Sequence, residues 1–166
     1  QAVTFGYTVS NPEDYGVAEI NQDGQVISLE EKPVKPKSDC AVTGLYMYPG
    51  DVAAQSHTLR PSERGELEIT SLNECYLRSN RLQLSMLGRG FAWLDTGSHD
   101  SLLEAGHFIA TIERRQGLKI GCVEEIAWRN GWLSKEMMME IIENLGGSSY
   151  GMYLKRIWKK DICEDD

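Results

Sequence analysis

No apolar run in the sequence approaches the roughly 18–20 residues that a bilayer-crossing helix needs, so no membrane span is expected. The opening residues, Gln1-Ala2-Val3-Thr4-Phe5, lack the basic flank and apolar core of a secretion signal. Excess positive charge is missing too. Seventeen Lys and Arg stand against 25 Asp and Glu, giving a formal net charge of −8. Nucleic acid is therefore not an expected partner, because such binding rests on clustered Lys and Arg. One local cation can still serve a small phosphorylated ligand. The four cysteines, Cys40, Cys75, Cys122 and Cys163, form no C-x-x-C pair. That disfavours a zinc site and leaves free thiols in a reducing cytoplasm as the expectation. The histidines, His57, His99 and His107, share no metal-ligand spacing. There is no repeat, no low-complexity linker and no initiator Met, and the chain opens directly into strand-like residues, as a processed chain or a piece of a longer one would.

What is present reads as strands first and helices later. Phe5 to Val9 is a strand that ends at the turn signal Ser10-Asn11-Pro12. Val17 to Ile20 and Gln25 to Leu29 flank Asp23-Gly24, which predicts a hairpin with a type I′ turn. Pro33, with no amide hydrogen, ends the second strand of the pair. Val42 to Tyr48 reads as a buried strand and Leu82 to Leu87 as another. Helices are predicted over Asp51 to Leu59 and Leu67 to Arg78. A long one runs from the N-cap Ser98 to Gly117, with Leu102, Gly106, Ile109 and Ile112 facing inward. Another begins at Ser134, with Leu133 and Met138 placed as a hydrophobic staple, and ends at Gly146. Asp161 to Asp166 reads as a frayed acidic tail. The pattern implies an α/β or α+β domain.

Four segments put charge beside glycine or proline: Tyr15-Gly16, Glu30-Glu31-Lys32-Pro33, Ser62 to Thr70, and Trp93 to Gly97. A carboxylate such as Glu31 at a strand end can accept from two neighbouring sugar hydroxyls, and Lys32 beside it can neutralise a phosphate. A surface ion pair beside a turn accounts for the same two residues. Arg64 precedes Gly65 and a helix expected near Glu66, a setting that suits phosphate, or an ion pair with Glu63 or Glu66. Asp95 follows an apolar strand end and precedes a helix. There it can supply one carboxylate to Mg²⁺ or simply cap a turn. Gly16 permits close approach of a ligand to backbone, although a simple turn glycine accounts for it as well. Trp93 could line a sugar or fill core.

In this order, Tyr-Gly-Val, Glu-Glu-Lys-Pro, Val-Thr-Gly-Leu-Tyr, Arg-Gly-Glu-Leu-Glu-Ile-Thr and Gly-Arg-Gly-Phe-Ala-Trp-Leu-Asp-Thr-Gly closely resemble the sugar nucleotidyltransferases. Within that family the sequence is most similar to the glucose-1-phosphate thymidylyltransferases of dTDP-rhamnose synthesis, from about Phe5 to Trp158. The resemblance implies the C-terminal part of a Rossmann-like fold, a mixed sheet flanked by helices. It implies a sugar-phosphate-binding part over residues 1–117, a helical regulatory and oligomerisation segment over 118–160, and the tail 161–166. It also implies transfer of a thymidylyl group from dTTP to glucose 1-phosphate with Mg²⁺, in a cytoplasmic homo-oligomer, a tetramer by family habit. A uridylyltransferase of the same fold and a non-catalytic sugar-phosphate-binding module are the alternatives.

The same resemblance assigns residues. Gly16, Glu31 and Val42 would hold the glucose hydroxyls. Lys32 and Arg64 would hold its phosphate, Asp95 would bind metal, and Tyr15 and Trp93 would shape the pocket. Arg89, Gly121, Glu125, Ile126 and Arg129 match the neighbourhood of a regulatory nucleotide site, although Glu124 to Arg129 also reads as an ordinary exposed helix. The family's Gly-rich loop followed by Thr-Arg-Leu, which cradles a triphosphate, has no counterpart in these 166 residues. The chain is expected to begin within the enzyme and to be inactive alone.

Overall fold

A computed structural model describes residues 1–62 and 65–164, the side chains of 162–164 excepted. Contacts divide the chain into two compact units, Gln1–Trp93 and Leu94–Asp166. This division by compactness falls elsewhere than the functional one expected at 117/118.

The first unit is built on a mixed five-stranded sheet in the order β3-β2-β4-β1-β5. Its strands are β1 (Ala2–Thr8), β2 (Gly16–Ile20), β3 (Val26–Glu31), β4 (Cys40–Met47) and β5 (Leu82–Met86). β1 runs parallel to β5 and antiparallel to β4, and β2 pairs antiparallel with β3 and β4. The expected hairpin is β2–β3, but its turn is not type I′. Of Asp23-Gly24 only Gly24 has positive φ (78°), and the Gly24 amide donates to the Asn21 carbonyl. Asn21 Oδ1 also accepts from the amides of Asp23 and Gln25 at 3.0 and 2.9 Å. The Asn21 side chain favours a type I turn closed by one left-handed glycine, the three-residue hairpin loop.

Two helices join the sheet, α1 (Val52–Ser56) and α2 (Ile69–Arg78). Helix α2 buries Leu72 and Tyr76 against Ala2, and its Leu77 packs on the cluster of Ala18, Leu29 and Cys40. Alternation along the strands then puts the side chains at Gly16, Ala18, Leu29, Glu31 and Val42 on the face that α2 covers. The second half of β4 is not buried as predicted: Leu45 and Met47 are more than half exposed, because they point to the opposite face.

The second unit is helical: α3 (His99–Gln116), α4 (Val123–Arg129), α5 (Lys135–Leu145) and α6 (Ser149–Glu164). The predicted caps form. Ser98 and Ser101 make a reciprocal capping box, Gly117 closes α3 with φ 68°, and the Ser134 hydroxyl accepts from the Met137 amide. Leu133 packs on the cluster containing Met138, as a staple requires. The inward stripe of α3 is a correction. Leu102 and Ile109 are exposed and only Ala105 is buried, since spacing identifies an apolar arc but not what covers it. Residues 161–164, expected to fray, continue α6. The core of this unit is Cys122, Met138, Ile142, Tyr153, Leu154 and Ile157. The described cysteines Cys40, Cys75 and Cys122 are free thiols, as expected.

Candidate functional site

The β2–β3 register sets Gly16 directly across from Glu31. A methyl group at Gly16 would lie 3.1 Å from Glu31 Oε2 and 3.2 Å from Thr70 Oγ1. Glycine therefore leaves room for the hydrogen bond that Thr70 donates to Glu31, 2.5 Å long. Thr70 lies in the first turn of α2 and is 8% exposed. Tyr46 stands close by on β4, and burial followed by the Glu31 charge pushes its phenol above the ordinary range. Neither Thr70 nor Tyr46 is marked by its own residue type as part of a site. Thr70 does end the Arg-Gly-Glu-Leu-Glu-Ile-Thr block, so a signal was available. Under the role that the resemblance implies for Gly16, Gly16→Val is expected to force Thr70 and Glu31 apart and weaken sugar-phosphate binding at least tenfold, a loss of about 1.4 kcal/mol. Calorimetric titration of glucose 1-phosphate into the full-length variant checks it, and undiminished affinity would contradict the role of Gly16.

Lys32 follows Glu31 with φ 43°, in the left-handed region that a non-glycine residue occupies at a cost of about 1–3 kcal/mol. Its amide donates to the Tyr15 carbonyl at 3.0 Å, and the next residue, Pro33, is buried. These two anchors hold the strained backbone, while the ammonium-bearing side chain is exposed. Tyr15 in turn meets Trp93 edge-on, with ring centroids 5.0 Å apart, and Tyr7 packs on the same indole at 6.0 Å. Tyr7 also donates from its hydroxyl to the Phe91 carbonyl at 3.3 Å. Tyr15, Gly16, Glu31, Lys32, Thr70 and Trp93 are thus linked within one unit. Val42 lies on the same sheet face as Gly16, but its side chain packs on the cluster of Ala18, Leu29 and Cys40.

Arg64 lies outside the described residues. Around it, Ser62 and Glu66 are joined by a backbone hydrogen bond of 2.8 Å, and Gly65 has φ 79°. The helix starts at Ile69 and not near Glu66 as predicted. Asp95 belongs to the second unit, where its Oδ2 accepts from the Gly97 amide at 3.2 Å in an exposed turn. The described residues gather no set of three or more His, Cys, Asp and Glu suited to a metal. Asp95 itself offers one carboxylate. That fits Mg²⁺ only where phosphate oxygens and water complete the octahedron.

The candidate regulatory residues divide between the units. Arg89 lines a cavity of about 400 Å³ with Tyr7, Thr8, Leu87 and Gly88 in the first. In the second, Glu125 accepts from Arg129 Nε at 2.9 Å and from the Tyr153 hydroxyl. Glu124 accepts from the Tyr150 hydroxyl, Gly121 has φ 67°, and Ile126 is exposed. Helix α4 is therefore more than a solvated surface helix. Its two carboxylates tie it to α6.

A glycine-floored carboxylate at a strand end, with a lysine beside it and an aromatic wall, has donors and acceptors of the kind that suit a polyol carrying an anion. The family model for nucleotidyl transferases matches residues 1–112, and the chain belongs to that family. Curated relatives are narrower. The chain is 52% identical over 159 residues to the glucose-1-phosphate thymidylyltransferase of Neisseria meningitidis, covering 96% of this chain and 55% of the relative. It is 50% identical over 157 residues to that of Mycobacterium tuberculosis, covering 95% of this chain and 54% of the relative. The chain thus spans about half the length of the curated relatives it matches. Among solved structures, a protein assigned as a glucose-1-phosphate thymidylyltransferase from Bacillus anthracis, in complex with a sucrose, superposes with TM-score 0.58. It is 41% identical, over 64% of this chain and 42% of that one. A UDP-glucose pyrophosphorylase complexed with UDP-glucose, 22% identical, shares the fold with TM-score 0.57 over 66% of this chain and 44% of that one.

Proposed function

We propose that this chain carries the acceptor-sugar side of a glucose-1-phosphate thymidylyltransferase. The observation that carries the reading is the Thr70–Glu31 pair above Gly16, followed at once by Lys32 on a strained backbone. Glu31, with Thr70 fixing its carboxylate, accepts hydrogen bonds from glucose hydroxyls. Tyr15 and Trp93 wall the ring, and the backbone at Val42 contributes beside it. Lys32 and Arg64 pair with the sugar phosphate and aim one of its oxygens at the α-phosphorus of dTTP. That oxygen forms the new P–O bond, and the bond from the α-phosphorus to the bridging oxygen breaks, releasing pyrophosphate. Asp95 would be one protein ligand to Mg²⁺, which when bound offsets charge on the phosphates. Its placement would be fixed mostly by those phosphates. Arg89, Gly121, Glu125, Ile126 and Arg129 would form a regulatory nucleotide site at a contact between copies in a cytoplasmic homo-oligomer. The product, a dTDP-sugar, would enter dTDP-rhamnose synthesis.

Full-length protein is expected to convert dTTP and glucose 1-phosphate to dTDP-glucose and pyrophosphate when Mg²⁺ is supplied, and to lose that turnover when the metal is chelated. Chromatography of the nucleotide products decides the assignment; conversion of UTP or GTP in preference to dTTP removes it. A polypeptide of these 166 residues alone is expected to show no turnover, since none of its segments is the Gly-rich loop that a triphosphate needs.

A further inference from the structure

Helix α2 is tied to the preceding chain at its start, where Glu68 accepts from the Ser62 hydroxyl at 3.0 Å. Its N-cap, Glu68, makes no side-chain capping bond. Leu67 and Ile69 at its start are 66% and 41% exposed. Apolar burial begins only at Leu72. The first turn nevertheless has to hold Thr70 on Glu31. Asn73, one turn after Thr70 on the same face and 1% exposed, accepts a 2.6 Å hydrogen bond from the Tyr48 hydroxyl. Tyr48 follows β4, and its ring lies nearly parallel to that of Tyr46, centroids 5.9 Å apart and planes 14° apart. It also packs on Tyr76 of α2. The bond is part-buried, and losing it is costly at its Asn73 end, where an unmade partner would find little water.

We propose that Tyr48 and Asn73 are a positioning pair that clamps the first turn of α2 to the end of β4 and so aims Thr70 at the acceptor-binding carboxylate of Glu31. The role presupposes the acceptor site proposed above. Neither residue touches the sugar; both act through Thr70, and Tyr48 also through the Tyr46 ring.

Tyr48→Phe keeps the ring stack and removes only the hydroxyl. In full-length protein the Michaelis constant for glucose 1-phosphate is expected to rise about tenfold. The Michaelis constant for dTTP and kcat stay within twofold. A crystal structure of the variant is expected to show the Thr70–Glu31 bond lengthened beyond hydrogen-bond range. Thr70→Val combined with Tyr48→Phe should be no worse than Thr70→Val alone, since both act through one bond. Additive losses, equal losses for both substrates, or an unchanged Michaelis constant for the sugar phosphate overturn the proposal while leaving the acceptor site intact. A wild-type protein that neither binds nor turns over glucose 1-phosphate removes the acceptor reading and this role with it.

Discussion

Lys32→Met in full-length protein is expected to lower kcat/KM for glucose 1-phosphate on the order of 10²–10³-fold, with folding stability nearly unchanged. Methionine keeps the unbranched stem and removes the charge. The size follows from the role proposed for the ammonium, a donor to a phosphate whose charge is redistributed as the new bond forms, since removing one such donor typically costs 10²–10³ in rate. Stability should not follow, because the side chain is exposed and its backbone amide, not its ammonium, makes the bond to Tyr15. Lys32→Gly sharpens the test. Glycine occupies φ 43° without the strain that lysine bears, so this variant should match or exceed the wild type in thermal midpoint while losing activity as Lys32→Met does. Steady-state kinetics paired with calorimetry separate the two readouts. Wild-type rates for Lys32→Met would mean that the strained lysine is only a turn residue.

The elements legible in the sequence are those whose signals are local. Ser98, Gly117 and Ser134 announce helix ends because caps are made by the side chain or the backbone freedom of one residue. The β2–β3 hairpin was legible for the same reason. Its turn type was not, because Asn21, two residues before Asp23, decides it through its own side chain. A methyl at Gly151, near the start of α6, would sit 2.9 Å from the Gly146 carbonyl oxygen and 2.9 Å from Leu145 Cβ. That glycine permits a close approach that only the folded chain reveals. The candidate site divides the same way. Glu31 and Lys32 are recognisable as charges at a strand end. Thr70 is separated from Glu31 by 39 positions, and a threonine on an amphipathic helix carries no local mark of its partner. The strain at Lys32 is likewise invisible in composition, since it is imposed by the Tyr15 carbonyl and the buried Pro33.

Leu154→Ala is expected to destabilise the helical unit by about 3 kcal/mol, within the usual range for leucine truncation in a packed core. Leu154 and Met138 are both fully buried, and they share one cluster with Ile142, Tyr153, Ile157 and Cys122. All members of that cluster lie within Leu94–Asp166, whereas the clusters around Leu72 and Leu29 lie within Gln1–Trp93. The two units therefore hold separate cores, and damage to one should register there first. For a unit of this size the shift in thermal midpoint is about 12–24 °C at 4–8 °C per kcal/mol. Of the four tryptophans, Trp128, Trp132 and Trp158 belong to the helical unit and Trp93 to the sheet unit. Full-length variants retaining one reporter at a time can thus read each core separately. The volume-conserving Met138→Leu should cost less than about 1.5 kcal/mol, which separates a cavity effect from general intolerance of change. The loss also bears on regulation. Leu154 adjoins Tyr153, whose hydroxyl holds Glu125 on α4. A nucleotide effect exerted through Glu125 and Arg129 should therefore fade in Leu154→Ala at temperatures where catalysis through Lys32 persists. Simultaneous loss of both, or a midpoint shift under 2 °C, would show that the helical core is not an independent support.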